Sequence, residues 1–204
     1  MNFLRLTPFI AAIWIMGIHG FCQEVARFSF EKDEIPFKWK SYVSPTNPDM
    51  VGVSTGQEGV DSHTGESALQ YFSPQGGAVI QANWLPVSPM MSFESQAGTY
   101  ACSFWVKMHG LPSGAHLWLR ISSETIAPFA GREDKDDIRS PFISPKTQPE
   151  DEWVPVEFEF TVAPEEAGQL FRPHFILKGN PSGRENEFSP EARVLIDDLV
   201  INRK

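Results

Sequence analysis

A two-sheet antiparallel β-sandwich is the fold class this sequence predicts, on three observations. The first is strict alternation. Tyr100, Cys102, Phe104, Val106 and Met108 share one face of one run, and Leu117, Leu119 and Ile121 share one face of the next. A period of two marks a strand with one side buried. The second is punctuation: 17 prolines and 15 glycines spread along 204 residues suit short strands and many turns better than long helices. The third is a count of about nine strand-like runs, with no segment that reads at a helical period.

Taken in order, Val25 to Glu31 reads as a first strand and Ile35 to Val43 as a shorter extended piece. Ser44 to Thr64 is rich in turn residues, among them Pro45, Pro48, Gly52, Gly56 and Gly59. Ser67 to Phe72 and Ala78 to Trp84 read as a pair joined by Pro74-Gln75-Gly76-Gly77. Gln96-Ala97-Gly98 turns the chain into the Tyr100 run, which the loop His109 to Gly114 joins to the His116 run, and these two are expected to pair with each other. Ser123 to Glu152 is the longest break in the pattern, with Glu133, Asp134, Asp136 and Asp137 among four prolines; a loop of that length is expected to act as a lid or rim. Trp153 to Val162 resumes alternation, with Val156, Phe158 and Phe160 inward against Glu157 and Glu159, and Leu170 to Lys178 and Arg193 to Ile201 complete the set. A hydrophobic content of 41% over this length supports one domain with a sizeable core.

Residues 1–22 read as an export signal: a short basic start at Met1 to Arg5, an apolar run from Leu6 to Ile18, and small residues Gly20 and Cys22 before a cut ahead of Gln23. The domain is then 23–204, secreted or periplasmic. Phe21 is not the small residue expected before a lipidated cysteine, so cleavage is preferred to lipidation. The apolar run is short for a membrane span and no second one follows, so no membrane insertion is expected. Losing Arg5 leaves 16 Lys and Arg against 26 Asp and Glu, so the formal charge moves from −9 to −10 and nucleic acid is excluded as a partner. Cys102 remains as a single inward-facing thiol, read as a small core residue rather than a nucleophile.

The order of landmarks resembles a family. Phe28-Ser29-Phe30-Glu31, Trp39, His63-Thr64-Gly65-Glu66-Ser67-Ala68-Leu69, Gly98-Thr99-Tyr100 leading to Ser103-Phe104-Trp105-Val106-Lys107, Trp153 before an alternating strand, and Ile196-Asp197-Asp198-Leu199 look like the β-jelly-roll carbohydrate-binding modules grouped as families 4 and 9, which share the galactose-binding-like architecture. The resemblance implies a jelly roll that binds a polysaccharide or glycan, working alone or beside an enzyme or cell-surface partner. It also implies a structural calcium joining the first strand to the last, matched here by Glu31, the carbonyls of Ser62 to Gly65, and Asp197. The plainer alternative is that Asp197 and Asp198 hydrogen-bond loop amides.

The residues themselves point to one sheet face as the binding surface. Outward positions carry Trp105, His116, Trp118, Arg120, Glu157, Glu159, Arg172 and His174, and sugar recognition needs flat aromatics flanked by fixed donors and acceptors. On this reading Trp118 is an open stacking platform whose truncation leaves the core intact. The other outcome is that the Ser123 to Glu152 loop covers the two tryptophans. Two further functions stay open: an adhesive module binding protein, and a glycan-cleaving enzyme using Glu157 and Glu159, which strand geometry spaces about 7 Å apart. The histidines are scattered, with no zinc-binding spacing.

Overall fold

The computed structural model describes residues 22–31, 40–41, 52–54, 61–72, 85–88, 92–123, 138–179 and 191–204. The expected leader, the Ala78 to Trp84 strand, Trp39 and the acidic run at 133–137 all lie outside the described residues. Twelve strands are seen among them: β1 Gln23–Phe28, β2 Lys40–Ser41, β3 Gly52–Ser54, β4 Leu69–Phe72, β5 Leu85–Ser88, β6 Phe93–Glu94, β7 Gly98–His109, β8 His116–Ser123, β9 Ile138–Arg139, β10 Val154–Val162, β11 Leu170–Lys178 and β12 Arg193–Arg203. One turn of 3₁₀ helix at Pro164–Glu166 is the only helical element described.

The strands form two antiparallel sheets. Sheet A runs β10-β7-β12-β4-β3 with β1 also on β12, and sheet B runs β2-β5-β11-β8-β9 with β6 also on β11. From β6 onward the chain changes sheet at every connection except that from β8 to β9. This corrects the expected hairpin: β7 pairs with β10 and β12, whereas β8 pairs with β11 and β9, so the loop at 109–115 crosses from one sheet to the other. Alternation could not separate the two cases, because a strand buries the same side whichever sheet it joins.

Inward faces form one core. Tyr100, Cys102, Phe104, Val106 and Met108 from β7 meet Leu117, Leu119 and Ile121 from β8, and all are buried. Phe104 meets Phe175 edge-on across the sheets, with ring centroids 5.1 Å apart. Tyr71 on sheet A donates its hydroxyl to the Phe175 carbonyl on sheet B at 3.1 Å, so the phenol that burial would otherwise leave unsatisfied ties the layers together. Tyr100 closes the turn before β7, donating to the Gln96 carbonyl and accepting from the Gln96 amide, both at 2.8 Å. Burial pushes the Cys102 thiol far above the usual thiol range, which agrees with its reading as core.

The outward faces hold the surprises. Residues 138–143 are not a free loop: β9 pairs with Arg120 and Ile121, Ile143 exchanges both backbone hydrogen bonds with Leu117, and the Leu119 amide donates to Ser140 Oγ at 2.9 Å. That segment extends sheet B and brings Phe142 over its outer face.

Candidate binding faces and the strand junction

The eight residues expected on one surface are divided between the two outer faces of the sandwich. His116, Trp118, Arg120, Arg172 and His174 belong to β8 and β11 of sheet B, whereas Trp105 belongs to β7 and Glu157 and Glu159 to β10 of sheet A. The common surface is thereby corrected: the crossing at 109–115 sends Trp105 and Trp118 to opposite sides of the molecule.

On sheet B, register places Lys178 opposite His116, Ile176 opposite Trp118, His174 opposite Arg120 and then Arg139, and Arg172 opposite Ser122. Trp118 is 2% exposed, so it is not the open platform the sequence suggested. Its ring lies stacked at 5.5 Å from His116, and the Phe142 ring stands edge-on to both at 5.3 and 5.4 Å. Phe142 itself is 61% exposed, which makes it the open aromatic of this cluster. Nothing in the sequence distinguished Phe142, since it lies between Pro141 and Ile143 outside any alternating run. Arg120 and His174 are also buried. His174 Nε2 lies 2.9 Å from Ser122 Oγ, while its Nδ1 meets no hydrogen-bond partner among the described residues. Burial, with Arg120 and Arg172 nearby, lowers the His174 pKa to about 3, so the ring is neutral at pH 7.

On sheet A, Trp105 is half-buried beneath the His63 ring, stacked at 3.8 Å, and Trp153 meets the same ring edge-on at 5.9 Å. Glu157 and Glu159 are exposed on β10, the last strand of the sheet, and Lys204 pairs with Glu159. They point from one strand in one direction, not toward each other across a cleft.

Glu31 and Asp197 both bond to the loop 62–67, at the place where β12 changes neighbours. Residues 193–196 of β12 pair with β4 and residues 199–203 with β1, and between them lies a bulge with Asp198 at φ 49°. The loop 62–67 fills the gap left there. Asp197 Oδ2 accepts from the His63 and Thr64 amides at 3.0 and 3.1 Å, and Asp197 Oδ1 accepts from the Asp198 amide. Asp198 in turn meets His63 Nδ1 and Thr64 Oγ1, both at 2.8 Å. From the other side Glu31 accepts from the Glu66 and Ser67 amides at 2.9 and 3.3 Å. Gly65 has φ 65°, a conformation that favours glycine, and a Cβ there would stand 2.0 Å from Glu31 Oε1, so any side chain would push that carboxylate off the loop.

The hydrogen bonds realise the plainer reading of the aspartates: each of these carboxylate oxygens already meets a protein donor, and among the described residues no group of three or more His, Cys, Asp or Glu side chains is placed to hold a metal ion. Asp197 is fully buried and has no cationic partner among the described residues; burial pushes its carboxyl up to about 6, against the pull of the Thr64, Asp198 and His63 amides. Glu31, three residues beyond the end of β1, and Asp197 of β12 reach one loop, and each stands next to a residue in the left-handed region, Phe30 at φ 59° and Asp198 at φ 49°. For phenylalanine that conformation is a true outlier, the kind of strain that persists where a site demands it.

No family model matches the sequence, and no curated protein matches it. Solved structures do match. The tandem of two family 22 carbohydrate-binding modules from Xyn10C of Paenibacillus barcinonensis aligns with a TM-score of 0.53 and 16% identity, over 95% of this chain and 52% of that one. This chain therefore spans about half the length of that match. BiXyn10A CBM1 in its apo form aligns with a TM-score of 0.51 and 10% identity, over 89% of this chain and 99% of that one. At such identities the likeness is one of fold, and the fold is the jelly-roll sandwich of carbohydrate-binding modules that the sequence landmarks implied.

Proposed function

We propose that the protein is an exported, non-catalytic carbohydrate-binding module that holds a polysaccharide or other glycan against the aromatic edge of sheet B. The observation that carries this reading is Phe142, a large ring left 61% exposed on top of His116 and Trp118. An exposed flat ring with polar side chains beside it suits the apolar C–H face and the hydroxyls of a sugar, and register puts Lys178 next to His116 in this cluster. The neighbours in fold are themselves carbohydrate-binding modules, which supports the same ligand class. The placement of Glu157 and Glu159 on one exposed face supports binding over cleavage, because glycoside hydrolysis needs two carboxyl groups flanking the scissile bond.

The test is a polysaccharide panel on residues 23–204, followed by titration of the best ligand. Phe142→Ala is expected to weaken binding by about 1–3 kcal/mol, as for a hot-spot aromatic, with stability changed by less than about 1 kcal/mol. Unchanged affinity would remove Phe142 from the site, and a panel with no binder would turn the reading toward an adhesive module with a protein partner. Export has its own check: the secreted chain should begin at Gln23 on N-terminal sequencing.

The junction of Glu31 and Asp197 is proposed to hold a structural calcium, with oxygen ligands from both carboxylates. The ion would supply positive charge to a buried carboxylate and tie β1 to β12. Since a ligand of the native state stabilises it by mass action, chelation should lower the melting temperature, and Asp197→Ala should abolish that sensitivity. A melting temperature indifferent to chelator would leave the loop amides as the sole partners of the two carboxylates.

A further inference from the structure

Given the sheet B reading, on which this rests, we infer that the glycan held there is acidic, with carboxylate or sulfate groups that the cations of that face select. The chain as a whole is acidic, with 17 Lys and Arg against 26 Asp and Glu. Its charges are not spread evenly. Strands β6, β8, β9 and β11 of sheet B carry Arg120, Arg139, Arg172 and Lys178, and the one carboxylate in them is Glu94, opposite Leu170 at the end of β11 away from Lys178. An anionic polymer is therefore attracted by this face and not by the molecule at large.

The cations share the outward side of the sheet, because cross-strand partners point the same way. Register sets Arg139 opposite Arg120 and Lys178 opposite His116, and Arg172 is the next outward residue along β11 from His174. Like charges directly opposite each other destabilise a sheet, so an anion beside Arg120 and Arg139 relieves a repulsion built into the pairing. Arg120 is 3% exposed; Arg139, Arg172 and Lys178 are half-buried and within reach of a ligand. Arg172 Nε donates to Ser92 Oγ at 3.3 Å. A guanidinium has further N–H groups, in a fork that fits a carboxylate or a sulfate. His174 lies among these cations, and its buried Nδ1, with no hydrogen-bond partner among the described residues, has room in its chemistry for one more polar atom.

The aromatic cluster stands between the two charged ends. Lys178 is opposite His116, and Arg120 follows Trp118 as the next outward residue of β8, about 7 Å along the strand. Phe142 caps His116 and Trp118. A ring stacked on Phe142 thus has a cation on either side for an acidic substituent, whereas an amino sugar meets repulsion on both.

The experiment measures affinity for polysaccharides paired by charge: polygalacturonate against its methyl ester, and κ-carrageenan against agarose, with poly-L-glutamate as an acidic chain that is not a glycan. One charged glycan is expected to bind at least about tenfold tighter than its neutral counterpart, the effect of one hydrogen bond between charged groups. That ratio should fall as salt rises from about 0.1 to 1 M, which shortens the screening length from about 10 to 3 Å. Arg139→Gln and Arg172→Gln should each lower the ratio by about threefold or more and leave the neutral affinity unchanged, with Lys178→Gln serving if either fails to fold. Phe142→Ala should weaken both members of a pair alike. Neutral glycans bound as tightly as charged ones would overturn the inference and leave the carbohydrate reading standing, while no glycan bound at all would remove both. Preference for poly-L-glutamate, or a ratio that none of the three cation variants lowers, would also overturn it.

Discussion

Truncating Trp118 to alanine is expected to cost about 3–5 kcal/mol of stability, the range for removing a buried large aromatic. The sequence suggested the opposite, a mild effect on folding, since Trp118 alternates with the core residues Leu117 and Leu119. It is nevertheless 2% exposed, opposite Ile176 in register and packed against His116 and Phe142. Removing the indole would leave a void between sheet B and the 138–143 segment, which can collapse only by breaking the hydrogen bonds that hold Ser140 and Ile143 to β8. Urea denaturation with a free fit of the slope would measure the loss. Trp105→Ala should cost clearly less, because Trp105 is only half-buried on the outer face of sheet A. A Trp118→Ala loss below about 1 kcal/mol would mean that the face is open.

Acid should destabilise the domain through His174. Its folded pKa is lowered to about 3, from an ordinary value of 6.5, by burial and by the nearby charges of Arg120 and Arg172. Below pH 6.5 the unfolded chain takes up a proton that the folded ring refuses. The stability this group contributes is therefore fully present above pH 6.5 and is lost as the pH falls toward 3. The slope approaches about 1.4 kcal/mol per pH unit, or about 2–3 kcal/mol between pH 6.5 and 4.5. Asp197 acts in the opposite sense: with its carboxyl raised to about 6, protonation favours the folded state as the pH drops from about 6 to 4. The measurement that isolates His174 is the difference in unfolding free energy between the natural chain and His174→Gln across this window. That difference should shrink steadily on acidification, and a constant one would show that His174 is solvated in the folded protein.

The resemblance of short motifs led to the correct architecture because those motifs encode the fold's joints. The His63 to Leu69 stretch and the Ile196 to Leu199 stretch meet where β12 passes from β4 to β1, joined by backbone amides on the Asp197 carboxylate and by the His63 and Thr64 side chains on that of Asp198.

The sequence by itself determined that this chain is made of strands and which side of each is buried, because a period of two places every second residue in the core. Tyr100, Phe104, Leu117 and Leu119 lie inward as the pattern requires. Only the tertiary structure decided which sheet each strand joins, since the two sheets of a sandwich ask for the same apolar inner face and alternation carries no label for either. That choice sent Trp105 and Trp118 to opposite sides. The tertiary structure also decided which outward residues meet solvent: exposure there depends on where a connecting segment lies, and the hydrogen bonds of Ser140 and Ile143 to β8 bury Trp118 and leave Phe142 outside.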